Sequence, residues 1–230
     1  MSDTTARASR GLSLGLALTT CATLLLETTY TRIFSVTMWY HYAFMAISVA
    51  LFGMAFGAVI VYLKPQWFPQ ERLSERLGKL GLAFALSVVA TFWLHLQLPF
   101  SPSLSVVGIF SVVFAFAMIT LPFIVSGVIV SLMLTRFVSD VGRLYAYDLI
   151  GSAIGCLLLW GLIHPLTGPG LVLFGAFLAA AGGLAFFWKE RAADRKLFQK
   201  LALSAVLFVS AALLQPSLKL LNITWIKNPV

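Results

Sequence analysis

The sequence predicts an all-α polytopic membrane protein, a bundle of six to seven transmembrane helices with its amino terminus in the cytoplasm. Three observations carry that prediction. Of the 230 residues, 60% are hydrophobic and only 10% are charged, against roughly 25% charged in an ordinary soluble domain. The mean hydropathy is +0.95. Apolar stretches recur along the chain at close to the twenty or so helical residues that cross a bilayer core about 30 Å thick. Together these exclude a soluble globular domain, a disordered chain and a nucleic-acid-binding domain. The net charge of +8 is therefore read as an orientation signal, because most basic residues lie between apolar runs.

Six stretches meet or approach the length of a span: residues 11–34, 39–63, 80–98, 106–134, 145–163 and 171–188. A seventh, 201–214, is shorter. All are apolar around their whole circumference, which fits helices rather than the alternating strands of a barrel. Pro122 marks a kink in the fourth, and the segment from Pro165 to Gly170 marks a tight turn between the fifth and sixth. Arg7 and Arg10 ahead of the first run imitate a signal peptide. Thr20 is a poor residue before a lipoprotein-type Cys21, however, and the apolar run continues past it, so the segment is kept as a span. The domain reading is a cytoplasmic segment 1–10, a membrane domain 11–214 and a short, interfacial tail 215–230 carrying Trp225.

The basic residues alternate by side. Arg7, Arg10, Lys64, Arg72, Arg76, Lys79, Arg136, Arg143, Lys189, Arg191, Arg195, Lys196 and Lys200 fall on one side. Arg32, Lys219 and Lys227 fall on the other. The positive-inside rule makes the first side cytoplasmic. The carboxyl tail is outside if the seventh helix crosses and inside if that helix lies on the surface.

Charged residues inside spans are costly and have either a partner or a role. Glu27 sits about sixteen residues into the first span, toward its outer end, with Arg32 five residues on. One reading is an acidic site for a cation or a proton; the other is a Glu27–Arg32 ion pair that fixes packing. Asp148 opens the fifth span after Tyr145 and Tyr147, where a helix N-terminus favours a carboxylate and Arg143 offers a partner. On this orientation Glu27 is near the outer face and Asp148 near the inner one, so they do not share a site. Trp39, Tyr40 and His41 open the second span as interfacial aromatics, or as the wall of a cation–π cage beside Glu27. His41, His95 and His164 lack ligand spacing, and Cys21 and Cys156 form no Cys-x-x-Cys pair, so no metal and no cofactor is expected.

Three glycine pairs four residues apart, Gly11/Gly15, Gly53/Gly57 and Gly151/Gly155, are expected to pack helix on helix. Residues 30–35 resemble residues 134–139, three spans on, a spacing that would make the halves inverted repeats if the likeness is more than chance. The sequence contains no nucleotide-binding glycine loop, nucleophile elbow or zinc-protease motif. A catalytic function is not expected.

Glu27 with Arg32 five on, the pair Gly53/Gly57, and the string Tyr145, Asp148, Gly151, Gly155 stand in order. In this they resemble the membrane, transporter-like module of the fused spermidine-synthase-like proteins of bacteria, over about residues 11–165. That resemblance implies a bacterial inner-membrane location and a link to polyamines. The synthase domain and its glycine loop have no counterpart here, so it implies the membrane module alone. Two functions are expected from different classes. The first is a non-catalytic module that anchors or assembles with a partner subunit, or with itself, in a membrane complex. The alternative is a binding or transport module for a small cation such as a polyamine, using Glu27 and Asp148.

Overall fold

A computed structural model describes residues 8–37, 40–97, 106–190, 194–218 and 221. Every regular element among them is helical. The α-helices are α1 (Arg10–Thr37), α2 (Tyr40–Leu63), α3 (Leu73–Gln97), α4 (Val106–Arg136), α5 (Val141–Phe187) and α6 (Arg195–Leu218), with short 3₁₀ turns at the connections on one face of the molecule. All six are long and apolar enough to cross a membrane.

The fifth and sixth expected spans are the two limbs of α5. Forty-seven residues would extend about 70 Å as a straight helix, more than twice a bilayer core. The contacts of α5 with α1 show that it folds back. Gly151 meets Ala17 and Gly155 meets Cys21, so the first limb rises alongside α1. Gly168 meets Ile33, Gly175 meets Leu26 and Gly182 meets Gly15, so the second limb descends. The reversal is at Thr167, whose backbone has φ 64° and ψ 173°. Pro165 and Pro169 flank it and remove two backbone N–H donors from the helical ladder. The turn expected between Pro165 and Gly170 is thus present.

α1 and the second limb of α5 form the centre of the bundle. Ala176, Ala179 and Ala180 of that limb and Leu16, Leu25 and Leu26 of α1 are fully buried. α3 and α6 cover the second limb, through Gly81 on Gly183 and Leu201 on Gly183. α2 pairs closely with α4, where Gly53 and Gly57 lie against Phe123 and Ile124, and Gly127 lies against Met54. The first limb is peripheral, with Leu157 and Trp160 directed away from the protein. All three glycine pairs stand at such crossings; Gly11 and Gly15 face Ala185 and Phe186.

α3 starts seven residues before the expected span. Its first turns are amphipathic: Leu73 and Leu77 are buried while Arg76 and Lys79 are exposed, and Lys79 pairs with Glu75 one turn away. A hydropathy run misses such a start because the charges lie on one face only. The expected seventh span is longer than its apolar core, 24 residues in α6. Of the proposed tail, only 215–218 and 221 are among the described residues.

Hydroxyls inside the bundle are satisfied locally. Thr19, Thr23 and Thr29 donate to the carbonyl four residues back. Thr23 also meets Ser126 of α4 at 2.5 Å. On the basic face, the Ala8 N–H donates to Asp140 Oδ2 at 2.6 Å. Arg143 binds Asp140 at 3.1 Å and the Ala8 carbonyl, and Arg136 donates to the carbonyls of Pro65 and Phe68. These contacts tie the start of α1 to the α4–α5 connection, and the α2–α3 connection to the end of α4.

The two similar six-residue strings have unlike surroundings. Residues 30–35 lie within α1, and 134–139 run out of α4 into a 3₁₀ turn. Arg136 is anchored to backbone carbonyls, and the Arg32 side chain has no such anchor among the described residues. α1 packs chiefly on both limbs of α5, whereas α4 packs chiefly on α2 and α3.

Candidate functional site

α1 is packed on most of its circumference, but one stripe is left uncovered in its carboxyl-terminal half. Leu24, Glu27, Thr28, Thr31, Arg32 and Ser35 recur three and four residues apart and are half-buried or exposed, which places them on one helix face. α2 stands on one side of this stripe and the first limb of α5 on the other. Between them is a cleft of about 340 Å³, lined by Glu27, Thr28, Thr31, Arg32 and Ser35 with Ile47 of α2 and Leu159 of α5. Arg32 and Leu159 also border a second, apolar cavity of about 210 Å³, lined by Ile33, Val36, Ile163 and Leu171.

The polar chemistry of the cleft is unequal. Thr28 donates its hydroxyl hydrogen to the Leu24 carbonyl at 2.7 Å, Thr31 to Glu27 at 2.8 Å and Ser35 to Arg32 at 2.8 Å. Each hydroxyl has one hydrogen, so these oxygens face the cleft with lone pairs only. The Glu27 carboxylate adds further acceptors. Arg32 is the one cation among the described residues of the lining.

The expected ion pair between Glu27 and Arg32 is not formed: the ion pairs among the described residues are Lys79–Glu75 and Arg143–Asp140. The physical reason is helical spacing. Five residues place the two side chains about 140° apart around the axis and about 7.5 Å apart along it, off the i+4 face that joins such pairs. α1 continues unbroken to Thr37, so no helix end between them brings them together.

Asp148 is elsewhere. α5 begins at Val141, so Asp148 lies two turns inside the helix and not in its first turn, and the expected N-terminal stabilisation does not reach it. Its backbone carbonyl accepts a hydrogen bond from Thr20 at 3.1 Å, which sets it about 10 Å below Glu27 along α1. Arg143 is taken by Asp140 and not by Asp148. Tyr145 is exposed and Tyr147 half-buried; both are about 18–21 Å below Leu159 along the first limb, so they are not walls of the Glu27 cleft. Trp39 lies outside the described residues. Tyr40 and His41 form the first turn of α2.

Sequence reasoning missed the aromatic cluster behind the cleft. Tyr30 lies 6.1 Å from Phe92 of α3 and 6.3 Å from Phe123 of α4, ring to ring. Phe34 lies 5.3 Å from His95. The Tyr30 hydroxyl and His95 Nδ1 are buried with no hydrogen-bond partner among the described residues. The alignment of Tyr30 with Phe34 at i+4 on α1 is the signal that identifies this aromatic face. No three His, Cys, Asp or Glu side chains stand close enough to hold a metal ion among the described residues.

No protein-family model, curated protein or solved structure matches the chain. What the fold supports directly is a multi-pass helical architecture whose helices have the length and composition of membrane spans.

Proposed function

We propose that the chain is a membrane-embedded, non-catalytic binding module for a small organic ammonium, with Glu27 as its counter-ion. One observation carries this reading: the Glu27 carboxylate and three acceptor-only hydroxyls line one cleft, and among the described residues no cation is paired with that carboxylate. Glu27 lies about 15 Å along the axis from the end of α1 at Thr37. A carboxylate at that depth gains most from a cation that also donates hydrogen bonds. A primary ammonium has three donors, which suit the carboxylate and the oxygens of Thr28 and Thr31.

Asp148 is not part of this site. A polyamine fits less well than a monoamine, because a second ammonium a few carbons away would stand toward Arg32. The assembly reading is supported by the long apolar faces of α2 and the first limb of α5, but lipid alone suits such faces equally well.

The test is hexylamine binding to the purified protein in phosphatidylcholine nanodiscs, followed by calorimetry. Glu27→Gln should weaken binding about tenfold or more, the loss of one charge-assisted hydrogen bond, with unchanged helicity by circular dichroism. Equal affinity of the wild type and the variant would reject the reading.

A further inference from the structure

Arg32 gives the cleft a second pole. It borders both cavities, the polar one that holds Glu27 and the apolar one toward Ile163 and Leu171. It makes no ion pair with Glu27 and none with any other described residue. A cation kept apart from the nearest carboxylate, in the same cleft, is complementary to an anionic group. The backbone positions of Glu27 and Arg32 are about 7.5 Å apart along the helix axis and about 140° apart around it, so the charged ends are further apart than the rise alone. A ligand whose ammonium and anionic group are separated by two bonds, as in an amino acid, or by four, as in an ethanolamine phosphate, bridges them once the two long side chains turn toward each other and a hydrogen-bond length is added at each end. Ser35 lies beyond Arg32, but the acceptor-only hydroxyls of Thr28 and Thr31 lie on the Glu27 side and on the turn between the two charges. They favour the ammonium end at Glu27 and leave the anionic end to the five donors of the guanidinium.

We infer that the cleft binds a zwitterion with an apolar tail, its ammonium on Glu27, its anionic group on Arg32 and its tail in the cavity beyond Leu159. The inference rests on the reading of Glu27 given above and adds the anion-binding end and the tail. Two sources share this chemistry: an aminophospholipid of the bilayer, and a free hydrophobic amino acid. Quaternary ammonium is disfavoured, since it has no N–H to give to the carboxylate and hydroxyls.

The experiment has a lipid arm and a free-ligand arm. In the first, the full chain is placed in nanodiscs of equal phosphatidylethanolamine, phosphatidylcholine and phosphatidylglycerol, and the lipid retained by the released protein is counted by native mass spectrometry. In the second, leucine is titrated calorimetrically into the protein in phosphatidylcholine nanodiscs. Retention of phosphatidylethanolamine about tenfold over the other two lipids supports the inference with a lipid source; leucine binding supports it with a free source. Arg32→Gln should abolish whichever is seen and should strengthen hexylamine binding, because a repelling cation leaves the cleft while the ammonium end is intact. Thr31→Val, which keeps both charges, should weaken ammonium binding without changing the anion preference. Preference for phosphatidylglycerol, the absence of both ligands, or an Arg32→Gln variant that binds them unchanged would overturn the inference. Loss of hexylamine discrimination at Glu27 would instead overturn the underlying reading.

Discussion

Gly151 of α5 lies directly on the Ala17 carbonyl of α1, with the Thr20 hydroxyl beside it, and a β-carbon at that position has no room. One turn later Gly155 is in the same relation to Cys21. The first limb of α5 is thereby held against the central helix by backbone contact, the means by which small residues join helices where lipid supplies no hydrophobic drive between them. Leu159, one further turn up the same limb, is the residue that walls the Glu27 cleft. The width of the cleft is therefore set by how closely this limb approaches α1.

Gly151→Ala should lower the thermal unfolding midpoint in detergent, at a cost of about 1–3 kcal/mol for forcing the helices apart. Gly161→Ala is the control. It lies on the same limb with open space around it, and alanine there should be neutral or stabilising by up to about 1 kcal/mol through helix propensity. Scanning fluorimetry on the tryptophans reads both. Equal midpoints for the two variants would show that the close approach at Gly151 does not hold the limb.

The reversal in α5 makes a prediction with an unusual sign. Thr167 has φ 64° and ψ 173°, a conformation suited to glycine that costs a residue with a β-carbon about 1–3 kcal/mol. Thr167→Gly should raise the unfolding midpoint, the relief of strain outweighing the added freedom of the unfolded chain. Thr167→Pro should lower it sharply, since proline fixes φ near −65°. The same pair of substitutions in an unbroken helix would both destabilise, so a rise for glycine distinguishes a hairpin from a continuous rod.

Much of this fold is written in the residues. Pro165, Pro169 and Gly170 identify the turn, the glycine pairs stand where helices cross, and the apolar runs give every span. The early start of α3 was hidden because Arg76 and Lys79 depress the hydropathy of a segment whose other face, Leu73 and Leu77, is core. Half of the candidate site was legible too. Glu27 stands out as a charge in an apolar run, and Thr28, Thr31, Arg32 and Ser35 follow it at helical spacing. Leu159 and Ile47 were not legible, because which helices flank that stripe depends on packing between elements far apart in sequence. Asp148 was overrated for the same reason. A helix that begins four residues earlier than its apolar run moves the residue away from the terminus that gave it meaning.

The orientation of the cleft follows from the sidedness of the chain, and that is open to direct test. Arg10, the 64–72 connection, Arg136, Arg143 and Lys189 lie at one end of the helices, and by the positive-inside rule the excess of basic residues predicts a cytoplasmic location for that end. Thr167 and its neighbours are then at the outer face, and Arg32, five residues before the end of α1, points the cleft toward the outer leaflet. In a background with Cys21 and Cys156 replaced by alanine, His164→Cys should react with a membrane-impermeant maleimide in intact cells. Lys189→Cys should react only after permeabilisation. Both positions are exposed, so failure to label is not a matter of burial within the protein. Labelling of the two from the same side would mean that the second limb of α5 does not cross. The cleft would then lose its place facing one leaflet, whatever it binds.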